Sequence, residues 1–146
     1  MIVDNIQKQI MDAMKAHDEV KLSTLRMLSS ELHNFKIDHP EMTEEEELGV
    51  VKKEAKKRKD AILAYEKAGN KARAESESAE LAILQEFLPA EVDDTDLSRF
   101  VDEAISETGA SDISSMGKVI GAVMAKTSGN ADGSKVASLV REKLTK

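Results

Sequence analysis

Few residues in this chain have the types and spacing to do chemistry. Ser115-Met116-Gly117-Lys118 carries the S-x-x-K spacing of a serine nucleophile with its lysine partner. The S-D-N and K-T-G motifs that complete such a site are absent, and 146 residues are too few for that fold. The motif therefore reads as a coincidence, with Ser115 in the first turn of a helix and Lys118 on its exposed side. His17, His33 and His39 have no metal-ligand spacing. There is no cysteine, which removes disulfides, thiolate metal sites and cysteine nucleophiles. No glycine-rich loop leads into a lysine to cradle phosphate. No catalytic residue, metal ligand or cofactor site is expected.

Charge offers more. Lys52 to Lys59 reads KKEAKKRK, six positive charges around Glu54. Such a run is usually a solvated helix face, and a phosphate-binding face is the sharper alternative. The acidic tract Glu44 to Glu47 lies one to two turns earlier, so pairing is expected to neutralise little of the run. Arg58 stands where an apolar residue is expected. It can extend its charge past a buried stem or pair with a carboxylate on another helix, Glu80 or Glu86. Arg26, beside a second apolar stripe, reads the same way. From Ala90 to Asp112 eight acidic residues face Arg99 alone, whereas from Ile113 to Lys146 six basic residues face only Asp132 and Glu142. Gly117 and Gly121 form a G-x-x-x-G. Each glycine costs a helix interior about 1 kcal/mol relative to alanine, so a close helix approach is the first explanation, and a partner or RNA backbone against a bare face is the second.

The elements that must position these groups are helices. Ile2, Ile6, Ile10 and Met14 form one stripe, and Leu22, Leu25, Leu28, Leu32 and Phe35 a second that Pro40 closes. Thr43 with Glu46 has capping-box spacing and opens a third helix, with Leu48, Val51, Ala55, Ile62 and Tyr65 as its seam and Gly69 as its stop. Asn70 caps a fourth, ending in Leu81, Ile83, Leu84, Phe87 and Leu88 before Pro89. The segment Pro89 to Asp94 reads as a linker. Three short helices follow. Thr95 is expected to cap the first, Asp112 or Ser114 the second and Asp132 the third. Their faces are Leu97, Phe100, Val101, Ala104 and Ile105; then Met116, Val119, Ile120, Val123 and Met124; then Val136, Leu139, Val140 and Leu144. The expectation is an all-α chain, with a bundle of about four helices over residues 1–89 and a three-helix tail over 90–146.

Apolar residues are 40% of the chain but aromatics only 3%, so the core must be aliphatic. The net charge of −7 argues against indiscriminate binding to nucleic acid or anionic membrane. No apolar run approaches the ~20 residues that span a bilayer. The N-terminus lacks a secretory signal pattern, so a cytoplasmic location is expected.

Taken in order, Leu25-Arg26-Met27, Arg58-Lys59-Asp60 and Glu80-Leu81-Ala82-Ile83-Leu84-Gln85-Glu86-Phe87-Leu88-Pro89 resemble the N-terminal signature of the GatB/YqeY family. Thr108-Gly109-Ala110, Met116-Gly117-Lys118-Val119-Ile120-Gly121 and Asp132-Gly133 resemble its C-terminal signature. The resemblance spans essentially the whole chain. It implies a helical bundle joined to a tail domain similar to the one ending the B subunit of the glutamine-dependent tRNA amidotransferase. There the tail helps hold tRNA, and the chemistry lies in a large domain that this chain lacks. The resemblance therefore implies a non-catalytic, tRNA-associated module. Its contacts would be Lys118, Lys126 and Lys135, with Asp132-Gly133 presenting backbone N–H groups at a helix start. The same Asp132 reads more simply as a helix cap. Arg26, Arg58, Lys59, Gly117 and Gly121 would serve structure or a partner. A protein-binding adaptor is the second reading. An accessory to, or a member of, the carbon–nitrogen ligases using glutamine as amido donor is the third.

Overall fold

The computed structural model describes residues 1–145 of the chain. It contains α1 (Ile2–Lys15), α2 (Glu19–Asp38), α3 (Glu44–Lys67), α4 (Lys71–Gln85), α5 (Asp94–Thr108), α6 (Met116–Lys126) and α7 (Gly133–Leu144), with a 3₁₀ turn over Ile113–Ser115. No strand occurs among the described residues. The chain divides into two compact units, Met1–Leu88 and a second beginning at Pro89.

In the first unit α1 packs along α2 and α3 along α4, while α2 touches both α3 and α4. The core holds Ile6, Ile10, Ala13, Leu25, Leu28, Leu32, Val51, Ala55 and Leu84. The helix boundaries follow local chemistry. Asp18 caps α2 through the Lys21 amide, and His39, preceding Pro40, leaves helical geometry. Thr43 and Glu46 form the full capping box of α3. Gly69, at φ 73°, takes the left-handed position after α3, and the Asn70 amide returns to the Tyr65 carbonyl at 2.9 Å.

Several expectations shift. Met14 is 46% exposed and Ala13 is buried in its place. A strict four-residue step advances about 40° per turn beyond the 3.6-residue helix, so the stripe drifts off the buried face. On α3 the fully buried positions are Glu47, Val51, Glu54 and Ala55, whereas Leu48 is only half-buried. Helix α4 stops at Gln85, and Phe87 and Leu88 reach the core from tight turns instead.

Glu47 explains how α1 can begin without a capping residue. Met1 supplies no side-chain cap. The Glu47 carboxylate, 45 residues away and 2% exposed, accepts the Ile2 amide at 2.9 Å and the Val3 amide at 2.6 Å. It fills donors that every helix start leaves open, at the end of the dipole that favours negative charge. Glu47→Ala is expected to cost about 1–3 kcal/mol in urea denaturation, with the Ile2 and Val3 amides losing hydrogen-exchange protection first. No measurable loss would mean that water serves those amides as well.

The second unit packs α5, α6 and α7 against one another around Leu97, Val101, Ala104, Val119, Val123, Val136, Val140 and Leu144. Asp93, not Thr95, caps α5, its carboxylate accepting the Asp96 amide at 2.8 Å. The aspartate wins because its oxygen reaches an amide three residues on, which leaves Thr95 inside the first turn. Asp112 caps the 3₁₀ turn through the Ser114 amide and hydroxyl. The Ser114 hydroxyl bond holds the Asp112 carboxyl below its usual range.

Candidate functional site

In the first unit the charged residues flagged by type turn largely inward or toward each other. Arg58 of α3 is 12% exposed at its side chain and places Nε 2.9 Å from Glu80 and 3.5 Å from Glu77 of α4. Its Nη2 lies 2.9 Å from the Met27 sulfur of α2. Arg58 thus ties three helices at the seam position where an aliphatic residue was expected, and Glu80 is one of the two partners anticipated for it. The cradle is imperfect: Arg58 Nε and Glu77 Oε2 are buried without a well-directed hydrogen bond.

Two further lysines of the basic run are also paired. Lys57 Nζ sits 2.8 Å from the buried carboxylate of Glu54, and Lys56 lies 3.8 Å from Asp60. The hydrogen bond to Glu54 raises the Lys57 pKa above its ordinary value. The partners are Glu54 within the run, Asp60 just after it and the carboxylates of α4, and no ion pair joins the run to the acidic tract at Glu44 to Glu47 among the described residues, as its spacing led one to expect. Lys59 is half-buried on the same helix, and Arg26 is exposed beside the inward-turned Met27.

In the second unit the acidic α5 meets the basic α6 and α7. Lys126 of α6 lies 2.7 Å from Glu107 and 3.7 Å from Glu103. Lys143 of α7 lies 2.6 Å from Asp102 and donates to the Ser98 hydroxyl at 2.9 Å. Lys135 reaches Asp94 at 3.5 Å. The uneven charge along the tail sequence is therefore complementary charge across its helices. The hydrogen bond that the Lys126 ammonium donates to Glu107 raises the Lys126 pKa. The pair thus persists through neutral pH, and on its alkaline side its contribution is lost as pH rises through that raised value.

Of the tail residues assigned to nucleic acid, Lys118 alone among the lysines is exposed without an ion pair among the described residues. Asp132 caps α7, its carboxylate accepting the Ser134 amide at 2.9 Å, and Gly133 is the first, exposed residue of that helix. Ser115 is the N-cap residue of α6 but makes no side-chain cap hydrogen bond. No base hydrogen-bonds the Ser115 hydroxyl among the described residues.

The glycines overturn the first explanation given for them. Gly117 and Gly121 are exposed, and a Cβ added to either meets no atom within 4 Å. No helix approaches that face. Together with Lys118 and the exposed Ala125, they make one bare side of α6. The signal was present in the sequence, because Val119 and Val123 define the opposite side of the same helix. Gly117→Ala and Gly121→Ala are each expected to raise stability by about 0.5–1 kcal/mol, measured by thermal and urea unfolding. A loss in either would mean that something packs there.

Among the described residues no group of three or more His, Asp or Glu side chains gathers to hold a metal ion. No helix there is long and apolar enough to cross a membrane.

The described residues thus form helices in two units, with Arg58 paired to carboxylates between helices of the first, surface ion pairs across the helices of the second and a bare glycine face on α6. The family model described as Yqey-like protein matches residues 3–144, and the chain belongs to that family. It is similar to an uncharacterized protein of Schizosaccharomyces pombe, 38% identical over 85 residues that cover 58% of this chain and 69% of the relative.

Proposed function

We propose that this chain is a non-catalytic docking module that accompanies tRNA-dependent amidotransfer, with its tail unit laying the glycine face of α6 beside the backbone of tRNA. One observation carries this reading. Gly117 in the first turn of α6 and Gly121 at its middle have no atom packed within 4 Å of an added Cβ, and they flank Lys118, which makes no ion pair among the described residues. Absent side chains let a sugar–phosphate strand come within backbone reach, and Lys118 supplies a counter-charge at the same place. The resemblance to the amidotransferase B-subunit tail points to the same partner.

The role is accessory because glutamine-derived ammonia needs an activated nucleophile. The chain has no cysteine, and no base hydrogen-bonds Ser115 among the described residues. With Lys126 and Lys135 engaged by carboxylates, few phosphates are neutralised. Binding should therefore weaken with salt at a log–log slope of about −1 to −2, well short of proteins that contact six to ten phosphates. The test is fluorescence anisotropy of labelled tRNA at low salt. Wild type should bind tRNA in preference to duplex DNA of equal length. Gly121→Leu should weaken binding about tenfold or more with the fold intact. Equal binding of both nucleic acids, or none of tRNA, ends this reading.

The same engagement of Lys126 and Lys135, with the net charge of −7, favours a protein adaptor as the second reading. A stable protein complex that survives nuclease treatment and is lost in Gly121→Leu would replace tRNA with protein on the same face. Glutaminase or amidation activity from the purified chain alone would instead make it a member of the carbon–nitrogen ligases.

A further inference from the structure

The other unit carries a surface that this reading does not use. Between α2 and α3 runs an open groove of about 450 Å³, lined by Glu31, Asn34, Phe35, Asp38, Glu46, Gly49, Val50, Lys53 and Glu54. Its apolar surface comes from Phe35 and Val50, both half-buried. Four carboxylates face one lysine along it. Two of the four are already committed: Glu46 closes the capping box with Thr43, and Glu54 holds Lys57. Glu31 and Asp38 make no ion pair among the described residues.

Those two stand seven residues apart on α2, which is two turns or about 10.5 Å along one face. Phe35 lies between them. On the opposite wall Gly49 leaves a gap, since a Cβ there meets no atom within 4 Å. At the edge of the groove the Lys57 ammonium lies 2.8 Å from the Glu54 carboxylate, so a cation already sits against one of its acids.

We propose that the groove between α2 and α3 binds a basic amphipathic helix of a partner protein, seating an apolar side chain on Phe35 and Val50 and setting lysine or arginine side chains two turns apart against Glu31 and Asp38. A helix in a groove is read through anchors spaced by turns, which is the spacing presented here. The opposed charges would steer the encounter and fix its register. A polyamine would satisfy the carboxylates but leave the apolar floor uncovered. Nucleic acid is repelled by the same carboxylates.

The probe is a capped synthetic helix of alanine, leucine and lysine, with one leucine midway between two lysines seven residues apart. It is titrated into the isotope-labelled full chain. Amide shifts are expected at Asn34, Phe35, Gly49 and Val50. Charge reversal by Glu31→Lys with Asp38→Lys should weaken binding about tenfold or more. Gly49→Leu, whose Cβ meets no atom within 4 Å, should weaken it comparably while the spectrum shows an intact fold. Equal shifts from a scrambled peptide or from spermine would overturn the proposal. So would shifts outside the groove, or variants that bind as wild type does. The tail is not involved, so failure here leaves the tRNA reading standing, and the converse holds.

Discussion

Arg58→Ala is expected to cost the first unit about 3–5 kcal/mol, because it strands two carboxylates that a single buried cation now serves. The guanidinium lies within ion-pair distance of both Glu77 and Glu80, and its side chain is 12% exposed. Glu77 and Glu80 are each about a quarter exposed and can relax toward water, which places the value at the lower end of the range. Arg58→Met separates the two roles of the side chain. It keeps an apolar stem at the same position but removes the charge and the Nη2 contact with Met27, so most of the loss should remain. Adding Glu77→Gln and Glu80→Gln to Arg58→Met should recover much of it, since a buried pair replaced as a whole is often close to neutral. Urea denaturation of these three variants beside wild type decides this. A loss of less than ~1 kcal/mol for Arg58→Ala would mean that the pair behaves as a surface salt bridge.

Leu28→Ala is expected to cost a further independent 2–5 kcal/mol through lost burial and the cavity left behind. Leu28 is fully buried at the centre of the cluster that joins α1, α2, α3 and α4. The core has almost no aromatic residues with which to refill the space, so collapse into the cavity depends on neighbouring leucines and isoleucines. Hydrogen exchange should show the loss across the amides of α1 to α4. A change no larger than that of an exposed substitution would mean that this cluster does not hold the unit together.

Much of the architecture was readable before any coordinates. Helix starts at Asp18, Thr43, Asn70 and Asp132 and the stop at Gly69 each rest on a side chain or a backbone preference acting within four residues, and the caps appear where those residues stand. What failed involves partners that are distant in sequence. Glu47 looks like one acid among four in a first turn, yet its carboxylate serves α1 from 45 residues away. The missing cap at Met1 was the available hint, since orphan amides at a helix start must be filled by something. Glu54 looked like a break in a basic run and proved to be its buried anchor.

The candidate site was harder to read for the same reason. Lys126 and Lys135 appear free along the sequence, but α5 brings Glu103, Glu107 and Asp94 against them. Periodicity fixes which face of one helix is apolar. It does not fix which charged residue of another helix will stand opposite. Gly117 and Gly121 invert that lesson: their exposure followed from the valine stripe of α6, but the energetic cost of glycine drew attention to packing first.

The most direct measurement places a photo-crosslinking residue at position 121 of the full chain and identifies what it captures in cell extract. A tRNA adduct, removed by ribonuclease and competed away by added tRNA, is the predicted result. Capture of protein alone, unchanged by ribonuclease, would contradict the tRNA assignment, and no adduct at all would leave the bare face of α6 without the docking role given to it.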